Sequence, residues 1–147
     1  MLMRYTLAAA ITALGFGIAP APAFSPADAI KEFGLLGTWA IHCEQPVGQE
    51  NAFVTYEIRD GIPVRTTRTY WQDVSGTATI LDARVVDVSH LEQTWKMRDF
   101  TFEQIIEMKD GRYRLIRSKG GDGNVYYQDG RNIADGKETP WLERCQQ

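Results

Sequence analysis

Residues 54–61 read Val54-Thr55-Tyr56-Glu57-Ile58-Arg59-Asp60-Gly61. Val54, Tyr56 and Ile58 alternate with Thr55, Glu57 and Arg59, so an extended chain places the apolar side chains on one face and the polar ones on the other. Asp60-Gly61 then supplies a dipeptide that accepts positive φ, which a tight hairpin turn requires. The same pattern continues in both directions. Upstream, Trp39, Ile41 and Cys43 alternate with Ala40, His42 and Glu44. Downstream, Ser75-Gly76, Asp110-Gly111, Gly120-Gly121-Asp122-Gly123, Asp129-Gly130 and Asp135-Gly136 cut the chain into short pieces. Strands are expected near 38–44, 51–59, 62–71, 77–88, 91–98, 100–108, 112–118 and 124–128, with a last short one near 131–134.

A meander of this many strands in a small domain has two open edges, and closing it removes them. The expected fold is therefore all-β, an eight- to nine-stranded antiparallel up-and-down barrel, with a two-sheet β-sandwich as the alternative. One short helix precedes it. Ser25-Pro26-Ala27-Asp28 supplies an N-cap, a first-turn proline and an early acid, Ala29, Ile30 and Phe33 form one apolar stripe, and Gly34 stops the turn.

The first 23 residues follow another logic. Arg4 is the single charge, Tyr5 to Ile18 is uncharged, and Ala19-Pro20-Ala21-Pro22-Ala23 is a run of small residues. That order is a signal peptide with cleavage expected before Phe24. Its apolar run is shorter than a bilayer span, so no transmembrane span is expected after cleavage. The expected organisation is a leader over 1–23 and one domain over 24–147, periplasmic or secreted. Cys43 and Cys145 are the only cysteines, and an even pair in an exported chain is expected to form a disulfide.

The net charge of −3 gives no reason to expect nucleic acid as a partner. Clusters at Arg59, Arg65 and Arg68 and at Arg112, Arg114 and Arg117 have acids interleaved nearby and read as solvated strand faces. His42 and His90 are the only histidines and neither has a second ligand at motif spacing, so no metal site is expected. No nucleophile with a base and no converging carboxylate pair is apparent, so neither catalytic residues nor a cofactor are assigned.

Gly37-Thr38-Trp39, following the short helix, resembles the opening Gly-x-Trp motif of lipocalins and their calycin relatives. That resemblance implies a barrel in which the Trp plugs one end and an Arg from late in the chain, Arg131 or Arg144, crosses it. The plan also resembles bacterial periplasmic inhibitors of secreted metalloproteases, which implies a protein-binding module whose partner is a protease.

Placing the apolar set of each strand inward puts Tyr56, Val64, Tyr70 and Trp95 in the lining, with Arg68, Gln93, Gln104 and Arg117 on the same faces. An arginine on an apolar lining needs an internal acid, for which Asp82 is the candidate, or an anionic ligand. The expected function is a carrier of a small amphipathic anion bound by Tyr56, Arg68, Tyr70, Trp95, Gln104 and Arg117. The alternatives are the protease-inhibitor reading and a structural or envelope-stress protein with a filled core.

Overall fold

The computed structural model describes residues 24–146; the leader expected over 1–23 lies outside the described residues. Helix α1 (Pro26–Glu32) is followed by β1 (Gly37–Ala40), β2 (Phe53–Arg59), β3 (Ile62–Arg68), β4 (Gly76–Val85), β5 (His90–Met97), β6 (Phe100–Lys109), β7 (Arg112–Gly120), β8 (Val125–Gln128), β9 (Arg131–Asn132) and β10 (Leu142–Arg144). Strands β1 to β7 pair antiparallel in sequence order, and β10 pairs with both β7 and β1. Eight strands thereby close an antiparallel barrel, and the sandwich alternative is set aside because one hydrogen-bonded sheet runs all the way round. The segments expected near 124–128 and 131–134 do form strands. They leave the barrel as an antiparallel extension of β7, and the strand that closes it is the unexpected β10.

Local chemistry fixes these elements. The Ser25 hydroxyl accepts the Asp28 backbone N–H at 3.1 Å, satisfying one of the free donors at the start of α1, and Pro26 occupies the first turn, where no N–H is needed. Asp60-Gly61, Asp110-Gly111 and Asp129-Gly130 all have positive φ at both residues, so each turns the chain with the twist that antiparallel strands require.

One end of the barrel is closed. Helix α1 packs against β3 and β4, and Ile30 and Leu35 join Trp39 and Tyr113 in the core with no exposed surface of their own. Trp39 donates its indole N–H to the Leu35 carbonyl at 2.8 Å. The Arg144 guanidinium lies 4.7 Å from the centre of the Trp39 ring and donates to the Gly34 carbonyl. Of the two arginines considered for this position, Arg144 takes it; Arg131 is paired with Glu138 on the extension. Cys43 and Cys145 are bonded across a sequence separation of 102, next to the β1–β10 seam. A bonded pair is compatible with an oxidising, exported location.

Candidate functional site

The inner face can be traced strand by strand, because residues paired across a ladder share a face. The two-residue turn at Asp60-Gly61 sets Arg59 opposite Ile62, Ile58 opposite Pro63, Tyr56 opposite Arg65 and Val54 opposite Thr67. With Val54 and Tyr56 inside, β3 turns Arg65 and Thr67 inward. Val64 and Arg68, expected inside, take the other face. Arg68 is exposed, with its guanidinium 5.3 Å from the Phe53 ring. Tyr70 lies beyond the end of β3, exposed in the β3–β4 loop against Trp71, ring centres 5.2 Å apart. Its expected inward placement is corrected because β3 stops at Arg68 and the pleat no longer directs it.

A second correction concerns Arg117. The turn at Asp110-Gly111 pairs Met108 with Tyr113, and Ile106 with Leu115, all on the inner face. Continued without interruption, that alternation would bring Arg117 inside as well. A bulge between Ile105 and Ile106 absorbs Ile116, so Arg117 pairs with Ile105 on the outside and Ser118 takes the inner position opposite Gln104. Arg117 is exposed in an outer cleft of about 200 Å³ that also contains Glu92, Glu103 and Lys119. A further bulge between Ile80 and Asp82 turns Asp82 outward, into the same cleft. Asp82 is therefore not the internal partner of any arginine. None of the described aspartates or glutamates is buried.

Tyr56, Trp95, Gln93 and Gln104 are inside, as expected, and are joined there by Ser118, which the sequence did not mark. The Gln93 amide N–H group donates to the Tyr56 hydroxyl at 3.0 Å and to the Gln104 carbonyl oxygen at 3.3 Å. Gln104 in turn donates to the Ser118 hydroxyl at 3.4 Å. This polar row crosses an otherwise apolar interior. On the closed side of it, Tyr113 packs edge-on against Trp39 and Tyr56 at 5.1 and 6.2 Å between ring centres. Burial pushes the Tyr113 hydroxyl well above its ordinary value, and the adjoining Tyr56 adds to the shift.

On the other side stands Arg65. Its guanidinium lies 5.2 Å from the centre of the Trp95 ring, and among the described residues it has no carboxylate within ion-pair distance. Its own Nε and three further buried polar atoms, Thr67 Oγ1, Gln93 Oε1 and Trp95 Nε1, have no hydrogen-bond partner among the described residues. Such atoms are rare in folded proteins, and each costs free energy unless water or a ligand meets it. Exposure along β5 gives the direction of approach: Leu91 is 0%, Gln93 2% and Trp95 7% exposed, and Met97 is partly open. The cluster thus faces the end opposite α1. From it an aromatic ladder leads outward, with Trp95 stacked on Phe102 at 4.6 Å and Phe102 against Tyr126 at 5.9 Å, and Tyr126 is exposed.

The interior is closely filled on the helix side by Trp39, Tyr56, Leu91 and Ile106, all fully buried. Clefts of about 450 and 290 Å³ lie elsewhere on the surface, one between α1 and β4 and one on the β8–β9 extension. Among the described residues no group of three or more His, Cys, Asp or Glu side chains is placed to hold a metal ion. The chain matches no family model, and no curated protein or solved structure shows detectable similarity to it. The geometry alone therefore carries the functional argument. The hairpin register at Asp60-Gly61 contained the signal for Arg65, since Tyr56 inside requires Arg65 inside; no comparable signal marked the bulge that excludes Arg117.

Proposed function

We propose that this protein is an exported, lipocalin-like binding protein for a small amphipathic anion, held at the half of the barrel that opens away from α1. The observation that supports the reading is Arg65, an inward cation without an acidic partner, set among aromatic side chains and unpartnered polar atoms. A guanidinium that offers planar paired donors in a poorly solvated site favours a carboxylate or similar oxyanion. The ladder of Trp95, Phe102 and Tyr126 gives the apolar part of such a molecule a surface on its way out. Because the helix side is filled, the ligand would be short or would leave most of its chain at the mouth.

Native mass spectrometry of the purified protein, followed by calorimetric titration with octanoate, tests the reading. One molecule per chain is expected, and Arg65→Met should weaken binding by about tenfold or more. No bound mass and no binding at millimolar octanoate would end it. A second reading has its own observation: Tyr70, Trp71 and Val74 are all about half exposed on the β3–β4 loop, a surface suited to a protein partner such as a secreted protease. Protease inhibition that is lost in Trp71→Ala and retained in Arg65→Met would favour it.

A further inference from the structure

The four unpartnered atoms do more than mark a polar spot, because their hydrogen-bonding roles differ. Arg65 Nε and Trp95 Nε1 are donors only, the Thr67 hydroxyl is either, and Gln93 Oε1 is an acceptor only. They belong to one place. Arg65 and Thr67 project from the same face of β3, Gln93 and Trp95 from the same face of β5, the Arg65 guanidinium lies over Trp95, and Gln93 is bonded to Tyr56, the residue opposite Arg65. Gln93 is 98% buried by its 2% exposure, and its amide N–H group is already engaged by Tyr56 and Gln104, while its carbonyl oxygen has no donor among the described residues.

A plain carboxylate would meet the two donors and leave Gln93 Oε1 facing a second acceptor. Resting on the anion-binding reading above, we infer that the ligand is a hydroxy acid: its carboxylate is held by Arg65 and Trp95, and a hydroxyl one or two carbons away donates to Gln93 Oε1. An ammonium group would supply the same hydrogen bond, but it would place a second cation beside Arg65, and like charges at close range in a partly desolvated site repel strongly. The hydroxyl satisfies the acceptor without that repulsion.

The test compares octanoate with 2-hydroxyoctanoate and 3-hydroxyoctanoate on the unmodified full chain. At least one of the hydroxy acids should bind about tenfold more tightly than octanoate, since an unmet buried acceptor weakens the complex by that order. In Gln93→Met the preference for a hydroxy acid over octanoate should vanish; should that variant fail to fold, the ligand series on the unmodified protein decides alone. Octanoate binding as tightly as both hydroxy acids would overturn the inference and leave the carrier reading intact, with the Gln93 amide turned to present its N–H group to the carboxylate. Failure of all three to bind folded protein would remove both readings and assign the cluster to internal water.

Discussion

Arg65 is expected to cost stability in the unliganded protein. A partly buried cation with an unsatisfied Nε and no acid to neutralise it is retained at a free-energy disadvantage relative to an apolar side chain of similar length. Arg65→Met should therefore raise the stability of the free protein, by about 1 kcal/mol, while weakening anion binding; a loss of stability in urea titration would show that Arg65 has a structural partner instead. Tyr113 makes a prediction of opposite kind. Its folded-state pKa is raised well above the ordinary 10.0 by burial, so the folded protein holds a proton that the unfolded chain releases above that pH. The contribution is fully present below pH 10 and declines as pH rises further, and Tyr113→Phe should flatten the fall in the denaturation midpoint seen there. At this scale the sequence was half legible. Tyr56, Trp95 and Gln104 follow from alternation, whereas the apolar character of Val64 points it and Arg68 inward against the register that the Asp60-Gly61 turn imposes.

Strands were readable where six or more residues alternated, and hairpin turns where Asp-Gly supplied the positive φ. Bulges were not. A single inserted residue near Ile116 reverses the facing of everything after it, and nothing in residue type distinguishes Ile116 from its neighbours in β7. Strand β10 escaped for a simpler reason: Leu142-Glu143-Arg144 is too short to display a period. Close approach offers a test of the open end. A Cβ added at Gly120 would meet Asp122 Oδ1 at 2.6 Å and Tyr126 Cε2 at 3.1 Å, and that Asp122 oxygen is held by the Asn124 backbone N–H at 3.0 Å. Gly120→Ala should lower stability by about 1 kcal/mol and, by displacing Tyr126 from the aromatic ladder, weaken ligand binding in the same calorimetric titration. Unchanged values for both would mean that the turn yields freely and that Tyr126 does not contribute to the mouth.

For the molecule as a whole, the Cys43–Cys145 bond restricts the unfolded chain across 102 positions. A Cys43→Ala, Cys145→Ala double variant should lose up to about 4.7 kcal/mol in the chain-entropy account, read from urea denaturation, with anion binding retained once the variant is folded. The unmodified protein, denatured without reductant, should show no free thiol. Intact mass of protein taken from outside the cytoplasm should correspond to a chain beginning at Phe24, and a chain still carrying Met1 would contradict the export reading. Barrel class and disulfide were legible because a leader-like N-terminus, an even cysteine pair and many short strands point the same way. Strand order at the closure was not, since closure depends on a pairing between residues far apart in sequence. That seam also governs the order of assembly. Until residues 142–144 arrive, β1 and the Arg112–Tyr113 end of β7 lack their closing partner, and for β1 that partner lies nearly the whole domain away in sequence. Emerging from its N-terminus, the chain can form hairpins one after another, but it can become a barrel only when its final strand is delivered, and Cys145 follows that strand immediately. Ring closure and oxidation are thus coupled as one late event in folding, slow because of its long loop, and any product of interrupted synthesis or early cleavage remains an open sheet with two adhesive edges.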